Sequence, residues 1–347
     1  MKSLIFLIIE AVSISFLTSC MPSTNIHVLR SADIFVPENI QKVAIVNRTK
    51  PADGSKLANF VEGLLTGERL FEDRMATQDC LFGLRDALIS TPRFSVVQPP
   101  MELEGTGGSY LPVPLSWQEV DKICSLSKAD GLITLELFDS DTQIGITENL
   151  VKTKNKEGKE TTVTEYLSNM HILIRSGWRF YDPKSKLVID EKLRSDFQNY
   201  SAKGASKAEA TRALMVRGEA IKKTGYFSGN QYGSHISPSW ITITRFYYKK
   251  GSDILKEGCR LSRQNNWNGA AEIWKKELTN IDKKIAGRAC VNIALACEVQ
   301  GKLELAQEWA NKGWNEFGNK KAKVYSAQLN YLIDDKKRVD EQLKKTE

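Results

Sequence analysis

The chain has 347 residues, of which 41% are hydrophobic and 26% charged, enough to build one or two packed cores and too apolar for global disorder. The net charge of +7 resides in residues 243–347, which hold 21 Lys+Arg against 14 Asp+Glu, while the remainder balances at 28 of each. That excess is diffuse and lacks interleaved base-reading or stacking residues, so no nucleic-acid partner is expected. Past residue 20 no apolar run approaches the ~20 residues a membrane-spanning helix needs.

The N-terminus orders a positive start (Lys2), an apolar run (Leu4 to Ile9) and small residues before Cys20, the order of a secretory signal. Leu17-Thr18-Ser19-Cys20 resembles the lipobox of bacterial lipoproteins, although Glu10 interrupts the apolar run. The resemblance implies that residues 1–19 are removed and that Cys20 is acylated and becomes the mature N-terminus. The membrane lipid would then be a partner, held through Cys20. An uncleaved N-terminal helix with an ordinary cysteine is the alternative. Residues 20–26 read as a tether. The absence of acidic residues just after Cys20 points to the cell envelope, at the outer membrane and facing the periplasm.

Residues 27–242 read as a mixed α/β domain. Ile26 to Val36 and Gln41 to Arg48 are β-rich, Met75 to Leu88 has apolar residues at helical spacing, and Phe94 to Gln98 reads as a strand stopped by Pro99-Pro100. Ser116 and Glu119 form a capping box opening a helix to about Ser127, and Asp130 to Phe138 is the strongest strand. The order β-α-β-α-β implies a mixed sheet. Two hairpins follow, turning at 154–158 and at Asp182 to Lys186, where Asp-Pro opens the turn. Ser206 and Glu209 cap a helix ending near Lys223, and the Gly-, Ser- and Asn-rich stretch from Gly225 to Ser239 reads as a loop closing the domain.

The VAIVNR and DGLITLEL strands, the WRFYDP hairpin and the G-x-x-x-S-P-x-W-x-x-x-x-R-x-Y segment ending at Tyr247, together with the lipobox, resemble an uncharacterised lipoprotein family of Bacteroidota. That likeness covers nearly the whole chain and brings no catalytic residues. More loosely, the α/β part is similar in architecture to curli-secretion and penicillin-binding-protein-activator lipoproteins, which implies an accessory role in an export or cell-wall assembly machine.

Residues 243–347 carry an internal repeat. Gly258, Asn265, Trp267, Ala270 and Trp274 recur 36 positions later as Ala294, Gly301, Leu303, Ala306 and Ala310. This spacing of small, turn and bulky residues resembles the tetratricopeptide repeat. Small residues let paired helices approach, the turn residue closes the hairpin, and the bulky residue fills the groove between repeats. Ala310 departs from the expected large aromatic, and residues 321–344 read as a third pair or a polar cap. The expected architecture is therefore α+β followed by all-α: a mixed-sheet domain, then tetratricopeptide-like repeats offering a surface to a protein partner.

No catalytic, cofactor or metal site is expected. His27, His171 and His235 fall in separate segments, and Gly105 to Gly108 lacks the flanking strand, helix and Lys-Ser/Thr of a phosphate cradle. Asp139 and Asp141 read as solubilising, Trp178 and Phe180 as core, and Lys152 to Lys159 as a solvated tip. Cys80, Cys124, Cys259, Cys290 and Cys297 lack metal or redox spacing and read as small buried hydrophobes. The leading expectation is a non-enzymatic interaction or scaffold protein.

Overall fold

A computed structural model describes residues 21–51, 67–106, 110–154 and 157–344. These form two compact units, one made of the described residues within 29–241 and 335–344 (the sheet unit) and one of those within 21–28 and 242–334 (the helical unit). Cys20 lies outside the described residues.

In the sheet unit, β2 (Lys42–Pro51) pairs in parallel with β3 (Ser95–Val97), β4 (Glu102–Gly105) and β5 (Gly131–Lys154). Antiparallel β6 (Glu160–Asp182) and β7 (Leu187–Gly204) extend the order to β3-β2-β5-β6-β7. One sheet face is covered by α1 (Gly67–Ile89) and α4 (Arg217–Ile236), where Ile45, Ile133, Ile174 and Trp178 bury against Leu81, Leu84, Ile221 and Tyr232. Trp178 stacks on Tyr232 with ring centres 4.6 Å apart. The other face receives α2 (Trp117–Ser127), whose capping box forms as the Ser116 and Glu119 pair dictates. Val120, Ile123 and Cys124 of α2 pack there on Val46, Leu132 and Tyr181.

The stretch read as a Gly-rich loop is instead helical. Short α3 (Lys207–Arg212) ends the segment capped by Ser206, and α4 runs through Gly225, Gly229 and Gly233 to Ile236. Glycines every fourth residue line one helix face, and here that face lies directly against α1. A Cβ on Gly229 would stand 1.8 Å from the Cys80 carbonyl oxygen, and one on Gly83 of α1 would stand 1.9 Å from that of Tyr226. Each glycine costs about 1 kcal/mol of helix propensity, which the backbone-to-backbone packing offsets.

In the helical unit, β1 (Ser23–Arg30) pairs with β8 (Ser239–Phe246) as a separate two-stranded sheet. Part of the stretch read as a tether, residues 23–26, is thus strand. The helices are α5 (Asp253–Arg263), α6 (Trp267–Lys275), α7 (Lys283–Val299), α8 (Leu303–Asn315) and α9 (Lys320–Gln342), the last reaching into residues of the sheet unit. In place of a third pair, the C-terminal segment is one continuous helix. The end of α5 and the start of α6 recur 36 residues on, at the end of α7 and the start of α8. The turn recurs with them: Asn265 and Gly301 are both left-handed, with φ of 60° and 73°. Asn266 N–H donates to Leu261 C=O and Lys302 N–H to Cys297 C=O, both at 3.0 Å.

Candidate functional site

The sheet unit holds a fully buried carboxylate in a charge network, and a β-bulge creates it. Leu135 pairs with Trp178 and Leu137 with Gly177, so Glu136 is the extra residue. A bulge re-aims a side chain, and here it sends a carboxylate with no solvent exposure toward β2 and β6. Arg48 and Arg179 reach one Glu136 oxygen at 2.8 and 3.2 Å, and Thr134 and Tyr181 hydroxyls reach the other at 2.6 and 3.1 Å. Four donors occupy the roughly four lone-pair sites of a carboxylate, leaving none for a substrate proton. Burial works against the Arg179 charge, but its bond to Glu191 (2.6 Å) and the Glu136 charge outweigh it and hold its pKa above the ordinary value. Burial, and then the Glu136 charge, raise the Tyr181 phenol. The arginines also donate to the carbonyls of Val113 and Pro112 at 2.9 and 2.6 Å, so the network holds the strand to the segment before α2.

A cleft of about 480 Å³ opens at the carboxyl ends of β2 and β3, where open α/β sheets bind ligands. Its walls include Ile45, Leu81, Met101 and the amides of Asn47, Gln78 and Gln98. Glu102 is held by Asn47 and Arg74, and Arg85 leans on Asp86 at 3.0 Å. Among the described residues the cleft offers amide hydrogen bonds and no paired nucleophile and base.

The third feature projects from the sheet. Beyond Phe138, β5 pairs only with β6, and its other edge has no strand partner among the described residues. Residues 139–154 extend that edge by roughly 50 Å at about 3.3 Å per residue. Ile144, Ile146 and Leu150 alternate onto one face of this ribbon, with exposures of 54%, 43% and 76%. Val163 at 44% lies on the other face, opposite Val151.

The residues singled out in the repeat meet inside the helical unit. Gly258 faces Trp274, where a Cβ would stand 2.1 Å from Nε1. That Nε1 donates to the Leu255 carbonyl at 3.3 Å. Trp267, Ala270, Ala294 and Ala306 are buried in the same core, Leu303 packs at its margin, and Gly301 supplies the left-handed turn. Trp178 and Phe180 are likewise core, Asp139 pairs across strands with Arg175 at 3.5 Å, and His171 bonds Asn199 at 2.7 Å. His235 lies between Asp33 (2.9 Å) and Asp190 (3.4 Å), whose bonds raise its pKa, Asp190 most. The five described cysteines are free and buried; burial pushes Cys124 and Cys290 up to about 12 and Cys259 up to about 11. Among the described residues no three of His, Cys, Asp and Glu gather into a metal-holding group, and no helix is long and apolar enough to cross a membrane.

Sequence reasoning missed the Glu136 network and the ribbon. Glu136 interrupts an apolar strand, and a carboxylate there requires buried cationic partners. The alternation of Ile144, Ile146, Glu148 and Leu150 continues the strand well past Phe138.

The mixed sheet with its projecting ribbon and the separate helical unit define a protein of two parts, one α/β and one helical. Residues 40–248 match the family described as Domain of unknown function (DUF8603), and residues 256–334 match Domain of unknown function (DUF6340). The first match spans more than half of the chain, which therefore belongs to the DUF8603 family. No curated protein matches it. Among solved structures it is similar to one described as a neuraminyllactose-binding hemagglutinin homolog from Helicobacter pylori. The identity is 13% over 59% of this chain and 87% of that one, with a TM-score of 0.20, too low to carry the fold.

Proposed function

We propose that this is a non-enzymatic lipoprotein of the cell envelope, acylated at Cys20, which binds a protein partner. The observation that carries the reading is the ribbon: an open strand edge with Ile144, Ile146 and Leu150 exposed on one face. Long edges template pairing with another chain, and this one, although interrupted by Glu148, carries three exposed apolar side chains suited to a partner. These side chains are already partly buried, so covering the remainder contributes less than the about 1.5–3 kcal/mol of a fully exposed one at each position, and backbone pairing along the edge would add to it. The lipobox-like L-T-S-C supports the anchor and, with the strand and hairpin motifs, the likeness to Bacteroidota lipoproteins. The 36-residue recurrence of helix ends and left-handed turns supports tetratricopeptide-like pairs, which give the partner a second surface.

The test is co-purification from crosslinked envelopes. Ile144→Lys, Ile146→Lys and Leu150→Lys combined should remove a defined partner while leaving the melting temperature within a few degrees of wild type. Recovery of the same partner by the triple variant would sink the ribbon as the contact.

A further inference from the structure

The helical unit carries a second, small cleft of about 220 Å³, formed where the first turns of α7 meet the α8–α9 loop. Four cations line it, Lys284, Arg288, Lys320 and Lys321, and no carboxylate does. Among the described residues none of the four is ion-paired. The nearest acids along the chain are Asp282, which caps α7 by accepting from the Lys284 backbone N–H at 2.8 Å, and Glu316, which pairs with Lys312 at 3.7 Å.

Two of the cations are held in place. The Arg288 guanidinium and the Lys321 ammonium lie 5.3 and 5.4 Å from the centre of the same Tyr248 ring. Arg288 also donates to the Lys250 carbonyl at 2.8 Å. Tyr248 is fixed in turn by the buried Asn292, which accepts from its N–H and donates to its C=O, each at 2.7 Å. Like charges gathered without a counter-charge repel one another, an energy that a bound anion recovers. The start of α9 is not the source of this attraction, since Asn319 already caps the Lys321 and Ala322 N–H groups at 3.0 and 3.2 Å.

The position of the cleft says which anion. Met21, the residue after Cys20, has its Sδ 3.0 Å from the Lys321 ammonium, and the Pro22 carbonyl accepts from Tyr247 N–H at 3.0 Å. The chain therefore enters the helical unit beside the cleft. An acyl group on Cys20, the residue preceding Met21 in the chain, would bring a bilayer surface to the side of the unit that carries these cations. We propose that this cleft binds the phosphate of an anionic phospholipid headgroup, fixing which face of the helical unit meets the membrane. The proposal rests on the lipid-anchor reading. An acyl chain supplies attachment, and a basic cluster beside it adds attraction to an anionic surface.

The experiment separates the cleft from the anchor. Full-length protein carrying Cys20→Ser, which cannot be acylated, is sedimented with phosphatidylcholine vesicles with and without phosphatidylglycerol. The expected result is a salt-sensitive gain with phosphatidylglycerol that falls at least tenfold when Lys284→Glu, Arg288→Glu and Lys321→Glu are added. The three positions line an open cleft, and an unchanged melting curve verifies that the variant folds. Any effect of the apolar N-terminus is common to both proteins. Equal binding to both vesicles, or a gain that survives the triple reversal, overturns the proposal. So does full competition by soluble glycerol phosphate or an acidic peptide, which would make a soluble anion the occupant. The intact mass of the wild-type protein from membranes decides the anchor independently: an unmodified Cys20 refutes acylation whatever the vesicles show.

Discussion

At Glu136 two oxygens meet four donors, and the charges of Arg48 and Arg179 are balanced by Glu136 and Glu191. Glu136→Gln keeps the shape and removes the charge, leaving two largely buried guanidiniums with a single partner carboxylate. Breaking a buried pair in this way costs about 3–5 kcal/mol, so the urea midpoint should fall with an unchanged slope. His235 makes the opposite kind of prediction. Its bonds to Asp190 and Asp33 raise its pKa above the ordinary ~6.5, so the folded state binds a proton more tightly than the unfolded chain. That stabilisation is fully present below about 6.5 and is lost as pH rises through the raised value. The groups around it are Asp33, Asp190, Tyr232 and, beyond Asp33, Arg30. Thermal melts across that interval should show stability falling with pH in the wild type, and the slope should flatten in His235→Asn. The partners of both residues come from distant parts of the chain, 33 and 190 for His235 and 48 and 179 for Glu136, so a local reading of the sequence does not find them. His235 was legible only as an isolated histidine in a segment of its own.

Among elements, α4 is where local composition and tertiary packing disagree. Gly, Ser and Asn in GYFSGNQYGSHI read as a loop by propensity, yet the four-residue period of Gly225, Gly229 and Gly233 is a helix face. Gly229→Ala drives a Cβ to within 1.8 Å of the Cys80 carbonyl oxygen and must push α1 and α4 apart. Gly301→Ala meets no neighbour within 4 Å and strains only the backbone at φ 73°. The first should cost more than about 3 kcal/mol and the second about 1 kcal/mol, a ranking that equilibrium denaturation of the two variants reads directly. The repeat was legible for the complementary reason. Its small residues, turn residues and tryptophans interact within one hairpin or between neighbouring helices, so sequence spacing maps onto contact. The length of the ribbon was not read, because the turn near 154–158 was visible while the alternation before it was masked by polar residues. The strand at 23–30 was legible as β only from Ile26, with its end placed too late at Val36, and its partner was not legible, since β8 lies more than 200 residues away.

For the whole molecule, each unit has its own core, and the features suited to partners lie outside those cores. In the sheet unit the covering helices leave the ribbon bare; in the helical unit the cations of residues 284–321 gather beside Met21. The +7 net charge, diffuse when counted along residues 243–347, thus acquires one local concentration in three dimensions. The central claim is that the apolar face of the ribbon is where this protein meets its partner. A photo-crosslinking amino acid placed at successive positions from 143 to 150, in protein at native levels in intact cells, tests it most directly. The prediction is one discrete adduct from positions 144, 146 and 150, and none from 143, 147 and 149 on the opposite face. Adducts from neither face, or equal yields from both, would contradict it.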